Sequence, residues 1–300
     1  MIVVAWMNEE GCRFAPGMMG SEAFTGARRI EAIRAVRDAS GISVGDALDR
    51  LHAAFPDLAR KPLGFTAAAY FELHIEQGPV LEAADRVIGV VTGIQGKKTF
   101  QVVVGGAEGH AGTLPQQERR DALAAFVRMA AALHAEIGAI DAEIKFTIGR
   151  VTIEPNAPSV VASRVTFSID LRHPDNEVLD AAGARVEALC HQHAPPCAVT
   201  ITRLVDAPSN EFDSELRERI ARAAHDHDLP AMAILSAAGH DARHLAKVCP
   251  AAMIFIPCRD GASHVEHESA EPGYVAAGAS VLAQVLRDLA LADQPFAAGA

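Results

Sequence analysis

From Thr99 to Leu204 the hydrophobic pattern runs strand, helix, strand, strand, helix, strand, and this order restricts the fold more than any other feature of the chain. Thr99 to Val104 reads as a strand, Arg120 to Ile137 as a helix and Glu143 to Ile153 as a strand. Val160 to Leu171 alternates Val, Phe, Ile and Leu with polar residues. Glu177 to His191 returns to a helical pattern, and Ala198 to Leu204 is a last strand. The two patterns are separable because helical side chains recur on one face about every 3.6 residues and strand side chains every other residue. The β-α-β-β-α-β order predicts a split-βαβ, ferredoxin-like α+β domain over residues 96–208.

On either side the pattern is different. Ile2 to Met7 is a continuous apolar run of strand length, expected to be buried on both faces. Helices are predicted over Ser21 to Asp38 and Ser43 to Ala54, and strands over Tyr70 to Ile75 and Val87 to Ile94. After Pro208 come a helix, Ser214 to His225, a short buried strand, Ala251 to Ile256, and a long helix, Tyr274 to Leu291. Such alternation predicts an α/β domain with a largely parallel sheet, made of residues 1–95 and 209–300, with the α+β domain inserted in it. The terminal Ala297 to Ala300 is expected to fray.

Composition narrows the function classes. A formal net charge of −11 with scattered arginines argues against a nucleic-acid surface, which needs clustered cations. The 5 cysteines form no CxxC pair, as expected of reduced thiols in a cytoplasmic protein. Apolar runs such as Ala251 to Pro257 are too short to span a bilayer, and no basic leader precedes the first apolar stretch, so no membrane partner is expected.

The polar residues that could carry chemistry fall at predicted strand ends. Glu9 and Glu10 follow the first strand, where one carboxylate can bind a metal while its neighbour handles a proton on water. Taken alone, the pair reads equally as a solvated acidic turn. His74 lies near the end of Tyr70 to Ile75, flanked by Glu72 and Glu76, which could act as its partners. His264 occupies the loop after Ala251 to Ile256. Two glutamates and two histidines at strand ends form a metal-like constellation, although a histidine on an apolar strand is commonly a core residue. In the predicted inserted domain, His110, Asn156 and Arg172 stand out. Arg172 and Asn156 could grip a carboxylate, against the plainer alternative of a surface ion pair and a turn. Gly239-His240-Asp241 reads as a helix cap or a pocket wall. No GxSxG, GxGxxG or P-loop is present.

The segments NEEGCRFAPGMMGSEAFTG, YFELHIEQGPVLE, IGVVTGIQG, GHAGTLP, RRDAL, NAPSVV, FSIDLRHPD, AAGHDA and DGASH follow one another along the chain. Together they resemble the hydantoinase/carbamoylase group of zinc-dependent amidohydrolases. That group includes N-carbamoyl-L-amino-acid hydrolases, bacterial β-ureidopropionases and allantoate amidohydrolases, within the aminoacylase/carboxypeptidase-like metallopeptidase superfamily. The resemblance implies a zinc-exopeptidase-like catalytic domain with an inserted lid and dimerisation domain. It implies metal-dependent hydrolysis of a carbamoyl or ureido C–N bond, first of all in an N-carbamoyl-L-amino acid, with allantoate or N-carbamoyl-β-alanine as alternatives.

By the same resemblance, Glu9 would be the general base, Glu10 and His264 would ligate one of two divalent ions, and His74 the other. Zinc is the first expectation, with manganese, cobalt and nickel also suited. Gln95, His110, Asn156 and Arg172 would surround the substrate, with Arg172 and Asn156 on its carboxylate and His110 also on the oxyanion. A homodimer through the inserted domain is implied, with some of these groups reaching the partner's site. The family also uses a histidine and a bridging aspartate upstream of the NEEG strand, so the resemblance implies an N-terminally truncated catalytic domain. The alternative is an inactive remnant that only dimerises or binds. Departures from the family pattern occur at Gly109, at Gln116, at Ala237 and at Glu266-His267-Glu268. They bear on substrate fit more than on reaction type.

Overall fold

The structure, a computed structural model, describes residues 1–292. The fraying expected of Ala297 to Ala300 lies outside the described residues. The strands are β1 Tyr70–Ile75, β2 Ile88–Ile94, β3 Gly96–Gly105, β4 Lys145–Glu154, β5 Arg164–His173, β6 Ala198–Ala207, β7 Asn210–Glu211, β8 Ala231–Ser236 and β9 Ala251–Ile256. The chain divides into two compact units, Met1–Ile94 with Asn210–Ala300, and Gln95–Ser209.

In the first unit the sheet order is β1-β9-β2-β7, with β8 also paired to β2. β1 pairs parallel with β9 and β2 parallel with β8, whereas β2 runs antiparallel to β9 and β7. The sheet is therefore mixed, not largely parallel. β7 and β8 went unseen in the sequence because one is a two-residue strand and the other carries two alanines and little polar alternation. Ile88, Ile254, Ile256, Leu216, Ile220 and Val281 build its main core, between the sheet and the helices Ser214–Asp226 and Pro272–Leu291. Pro272–Leu291 is long and apolar enough, by length and composition, to cross a membrane, which corrects the expectation that no segment is. Here Gly278, Val281 and Val285 face the sheet core instead.

Two further expectations fail at the N-terminal end. Ile2 to Met7 forms no strand, and Met1, Ile2, Val3 and Val4 are exposed. An apolar run becomes a strand only when a neighbour completes its backbone hydrogen bonds, and no described strand pairs with it. The helix expected over Ser21 to Asp38 is broken into Met19–Thr25 and Ile30–Arg34. Gly26 ends the first piece in the left-handed region, φ 73°, which a glycine adopts without strain. By contrast Val44–Ala54 starts where Ser43 and Asp46 form a reciprocal capping box.

In the second unit the strand order is β4-β5-β3-β6, antiparallel throughout. Helices Ala122–Glu136 and Asn176–His193 pack on one face, each started by an aspartate, Asp121 or Asp175, that accepts two backbone N–H groups. Strand alternation sends Phe100, Phe167, Ile169 and Leu171 into that core and Lys97, Thr99, Asp170 and Arg172 to the opposite face. Lys98 is the exception on the inner side: buried beside Gly183, its ammonium ion-pairs with Asp180 at 2.8 Å and with Asp206. Phe167→Ala is expected to destabilise this unit by about 3–5 kcal/mol, the range for emptying an aromatic core position. Hydrogen exchange of the β3 and β5 amides checks it, and unchanged protection there would contradict the packing described.

Candidate functional site

Because β1 and β9 are parallel and in register, His74 lies opposite Phe255 and both strands end at the same edge of the sheet. That edge holds His74 near the end of β1 and His264 in the loop following β9. The His264 loop is a chain of tight conformations: Asp260, Gly261 and His264 all have positive φ. Gln77 donates to Ser263 Oγ at 3.0 Å, and the His264 N–H donates to Glu268 at 3.0 Å, which holds the Glu268 carboxyl below its ordinary range.

Glu9 and Glu10 belong to a second tight loop. The Met18 N–H donates to Glu9 O at 2.8 Å, and Asn8, at φ 53°, donates through its amide to Phe14 O at 2.7 Å. A side chain at Gly17 would come within 2.1 Å of Glu9 O, so the loop closes only with glycine there. This folding brings Glu10 Oε2 to 3.4 Å from His264 Nε2. Glu9 is partly buried. Burial first, then the neighbouring Glu10, raise its pKa above the ordinary carboxylate value, while the fields of His74 and His264 oppose the rise. Glu9, Glu10, His74 and His264 therefore share one neighbourhood.

The acids flanking His74 have other tasks than the one expected of them. Glu76 accepts from the Val80 and Leu81 N–H groups at 2.8 and 2.7 Å, capping the short helix that follows. Glu72 accepts from Tyr70 Oη at 2.9 Å and from the Ala242 N–H at 3.0 Å. His74 instead has Nδ1 2.8 Å from its neighbour's carbonyl, Ile75 O. In the neutral ring, an Nδ1–H donating there places the lone pair on Nε2.

Beneath His74 lies a buried polar layer that the sequence did not reveal. Trp6 Nε1 donates to Tyr70 Oη at 3.0 Å, extending the hydrogen-bond chain to Glu72. The His240 ring meets His74 edge-on, centroids 4.6 Å apart, and its Nε2 lies 3.0 Å from Ser236 Oγ. Burial drives the His240 pKa down to about 3, so its 3.5 Å approach to Glu72 is no ion pair at neutral pH. Asp241 is also buried, with Oδ1 lacking any hydrogen-bond partner. Burial, with the fields of Glu72, Glu9 and Glu22, pushes it up to about 7 although Ser21 hydrogen-bonds to it. The one available signal was Gly239-His240-Asp241 itself; which way it faced depended on β8, the strand the pattern concealed.

The donor types near the strand ends suit a divalent cation, but among the described residues no three His, Cys, Asp or Glu side chains converge as a cation site. The described residues do not by themselves complete a metal centre.

In the Gln95–Ser209 unit the expected substrate residues separate into two groups. His110 bridges to Val160, and Asn156, at φ 54°, lies just past the end of β4. Arg172 and Gln95 lie at the other end of the sheet, since Arg172 pairs with Lys145 at the start of β4 and Gly96 with His173. Eight to nine residues of strand intervene, about 27 Å. Arg172 and Asn156 therefore do not grip one carboxylate within a chain, because successive antiparallel strands end at opposite edges. Arg172 Nε donates to Asp170 at 2.7 Å, and Lys97 reaches the same carboxylate at 3.2 Å. Burial raises the Asp170 pKa, but Arg172 and Lys97 outweigh it and hold the carboxyl below its ordinary range.

The profile of peptidase family M20/M25/M40 matches residues 1–288. An N-carbamoyl-L-amino-acid amidohydrolase of Rhizobium meliloti is 37% identical over 292 residues, covering 94% of this chain and 68% of that protein. The allantoate amidohydrolase of Bacillus subtilis is 32% identical over 295 residues, covering 96% and 70%. A crystal structure of a hydantoinase/carbamoylase family amidase from Burkholderia multivorans has a TM-score of 0.82 at 37% identity, covering 95% of this chain and 69% of that one.

Because the Asp241 carboxyl titrates near 7 in the fold against 3.8 as a free side chain, its stability contribution is complete below about pH 4 and is lost as pH rises through 7. Melting temperature is therefore expected to fall across that window, and Asp241→Asn to flatten the fall. Parallel pH profiles for the two proteins would contradict the assignment.

Proposed function

We propose a function from one premise: the chain belongs to peptidase family M20/M25/M40. It is an amidohydrolase acting on a non-peptide C–N bond, and its substrate is an N-carbamoyl-L-amino acid. Water adds to the carbamoyl carbon and the C–N bond breaks. One water consumed yields the free amine, ammonia and carbon dioxide. The observation that carries this reading is the meeting of Glu9 and Glu10 with His74 and His264 at one end of one sheet.

Glu9 takes the proton from the attacking water. Its raised pKa makes the carboxylate a better proton acceptor than an ordinary glutamate. Arg172 holds the substrate carboxylate, with Gln95 beside it, and His110 and Asn156 serve the oxyanion and the carboxylate from the other end of the unit. That separation favours a homodimer in which one protomer's Arg172 end and its partner's His110 end complete a site, the Gln95–Ser209 unit acting as lid and contact. Members of the family generally use divalent metal ions. Glu10, His74 and His264 have the donor chemistry for one, but they do not complete a centre among the described residues, so the chemistry assigned here is that of the chain's own side chains. The Bacillus subtilis relative supports allantoate as the second substrate reading.

Ammonia release from N-carbamoyl-L-amino acids and from allantoate tests the proposal. Glu9→Gln is expected to lower turnover about 10²–10⁴-fold, the range for a general base, at an unchanged melting temperature. Turnover equal to the parent's would remove Glu9 from the role, and no release from either substrate class would refute the amidohydrolase reading.

A further inference from the structure

Three adjacent members of one register row on the helix-free face of the Gln95–Ser209 unit are cations. β5 lies between β4 and β3, and Arg172 is directly opposite Lys145 on one side and Lys97 on the other. Side chains opposite one another across a ladder project to the same face, with Cβ atoms about 5 Å apart. Lys145, Arg172 and Lys97 therefore stand in line across three strands, at the end of the sheet where Gln95 enters β3.

Like charges placed opposite one another weaken a ladder, so such a row needs compensation. Asp170 supplies part of it, 3.2 Å from Lys97 Nζ and 2.7 Å from Arg172 Nε. Lys145 Nζ meets uncharged oxygens, Gln95 Oε1 at 3.3 Å and the Glu143 carbonyl at 3.5 Å. Among the described residues no carboxylate is ion-paired with Lys145, so this member of the row carries its positive charge beside uncharged oxygens. All three cations retain solvent access, with Lys97 about one third exposed.

We infer that this row is a dianion subsite: Arg172 takes the α-carboxylate while Lys97 and Lys145 take a second acidic group. The preferred substrates are then N-carbamoyl derivatives of acidic amino acids. The inference rests on the proposed role of Arg172 as carboxylate anchor and adds to it the class of side chain selected. Two carboxylate carbons separated by two or three bonded carbons lie on the order of 4–5 Å apart, comparable to the spacing of neighbouring cations in the row. A ligand with one carboxylate would leave the second cation unmatched.

Isothermal titration calorimetry on the full chain tests this with N-carbamoyl-L-aspartate and N-carbamoyl-L-alanine, ammonia release being followed to correct for turnover. The aspartate derivative is expected to bind at least about fivefold more tightly, the upper range for one exposed charge pair. Lys97→Gln and Lys145→Gln should each bring that ratio towards unity, and Arg172→Gln should weaken both ligands. Equal affinities in the parent, or lysine variants that leave the ratio unchanged, would overturn the subsite. If the lysine variants erase the preference while Arg172→Gln weakens neither ligand, the subsite stands and the anchor role of Arg172 falls. Absence of binding by either ligand at millimolar concentration overturns both. Melting temperatures of the variants guard against misfolding, and these solvent-accessible positions should leave them unchanged.

Discussion

The parallel, in-register pairing of β1 with β9 is what the candidate site in the first unit depends on. Parallel strands end at the same edge of a sheet, so His74 on one and the His264 loop after the other arrive together although nearly two hundred residues separate them. The Asn8–Met18 loop then needs only to close on itself for Glu10 to reach His264. Nothing in this assembly requires a local motif. The geometry is delivered by backbone hydrogen bonds between a wholly apolar β9 and a β1 whose polar side chains are Glu72, His74 and the Tyr70 hydroxyl.

The layer beneath His74 shows how strongly burial acts on the polar groups of this unit. Glu72, His240 and Asp241 are removed from water, and all three shift towards their neutral forms. Neutral partners can be packed where charged ones would be costly to bury. The layer therefore joins β1, β8 and the start of the Ala242–Leu245 helix by hydrogen bonds and ring contacts, with Trp6 and Tyr70 extending it towards the N-terminal segment.

The second unit follows the opposite rule. Its sheet is antiparallel, so successive strands end at opposite edges and functional residues at strand ends are separated. Asn156 and Arg172 looked like companions because each follows a strand; pairing direction places them about 27 Å apart. The same pairing sets Lys97, Arg172 and Lys145 side by side. Those residues are far apart in sequence; Arg172 was legible as a possible carboxylate anchor, but the two isolated lysines gave no signal.

Much of the architecture was legible in the sequence because hydrophobic periodicity is a local property. The strands at Tyr70 and Ala251, the capped helix after Ser43, and the β-α-β-β-α-β order of Gln95–Ser209 all follow from which residues must leave water. Glu9, Glu10, His74 and His264 were legible as chemistry-bearing residue types at element ends. Strand direction, pairing partner and burial of polar groups were decided only by the tertiary structure. Ile2 to Met7 has the composition of a strand but no described strand pairs with it; Glu76 looks like a partner for His74 but caps a helix. A sequence determines which segments seek burial. Which backbone they pair with, and hence which side chains meet, is settled by contacts that exist only once the chain has folded.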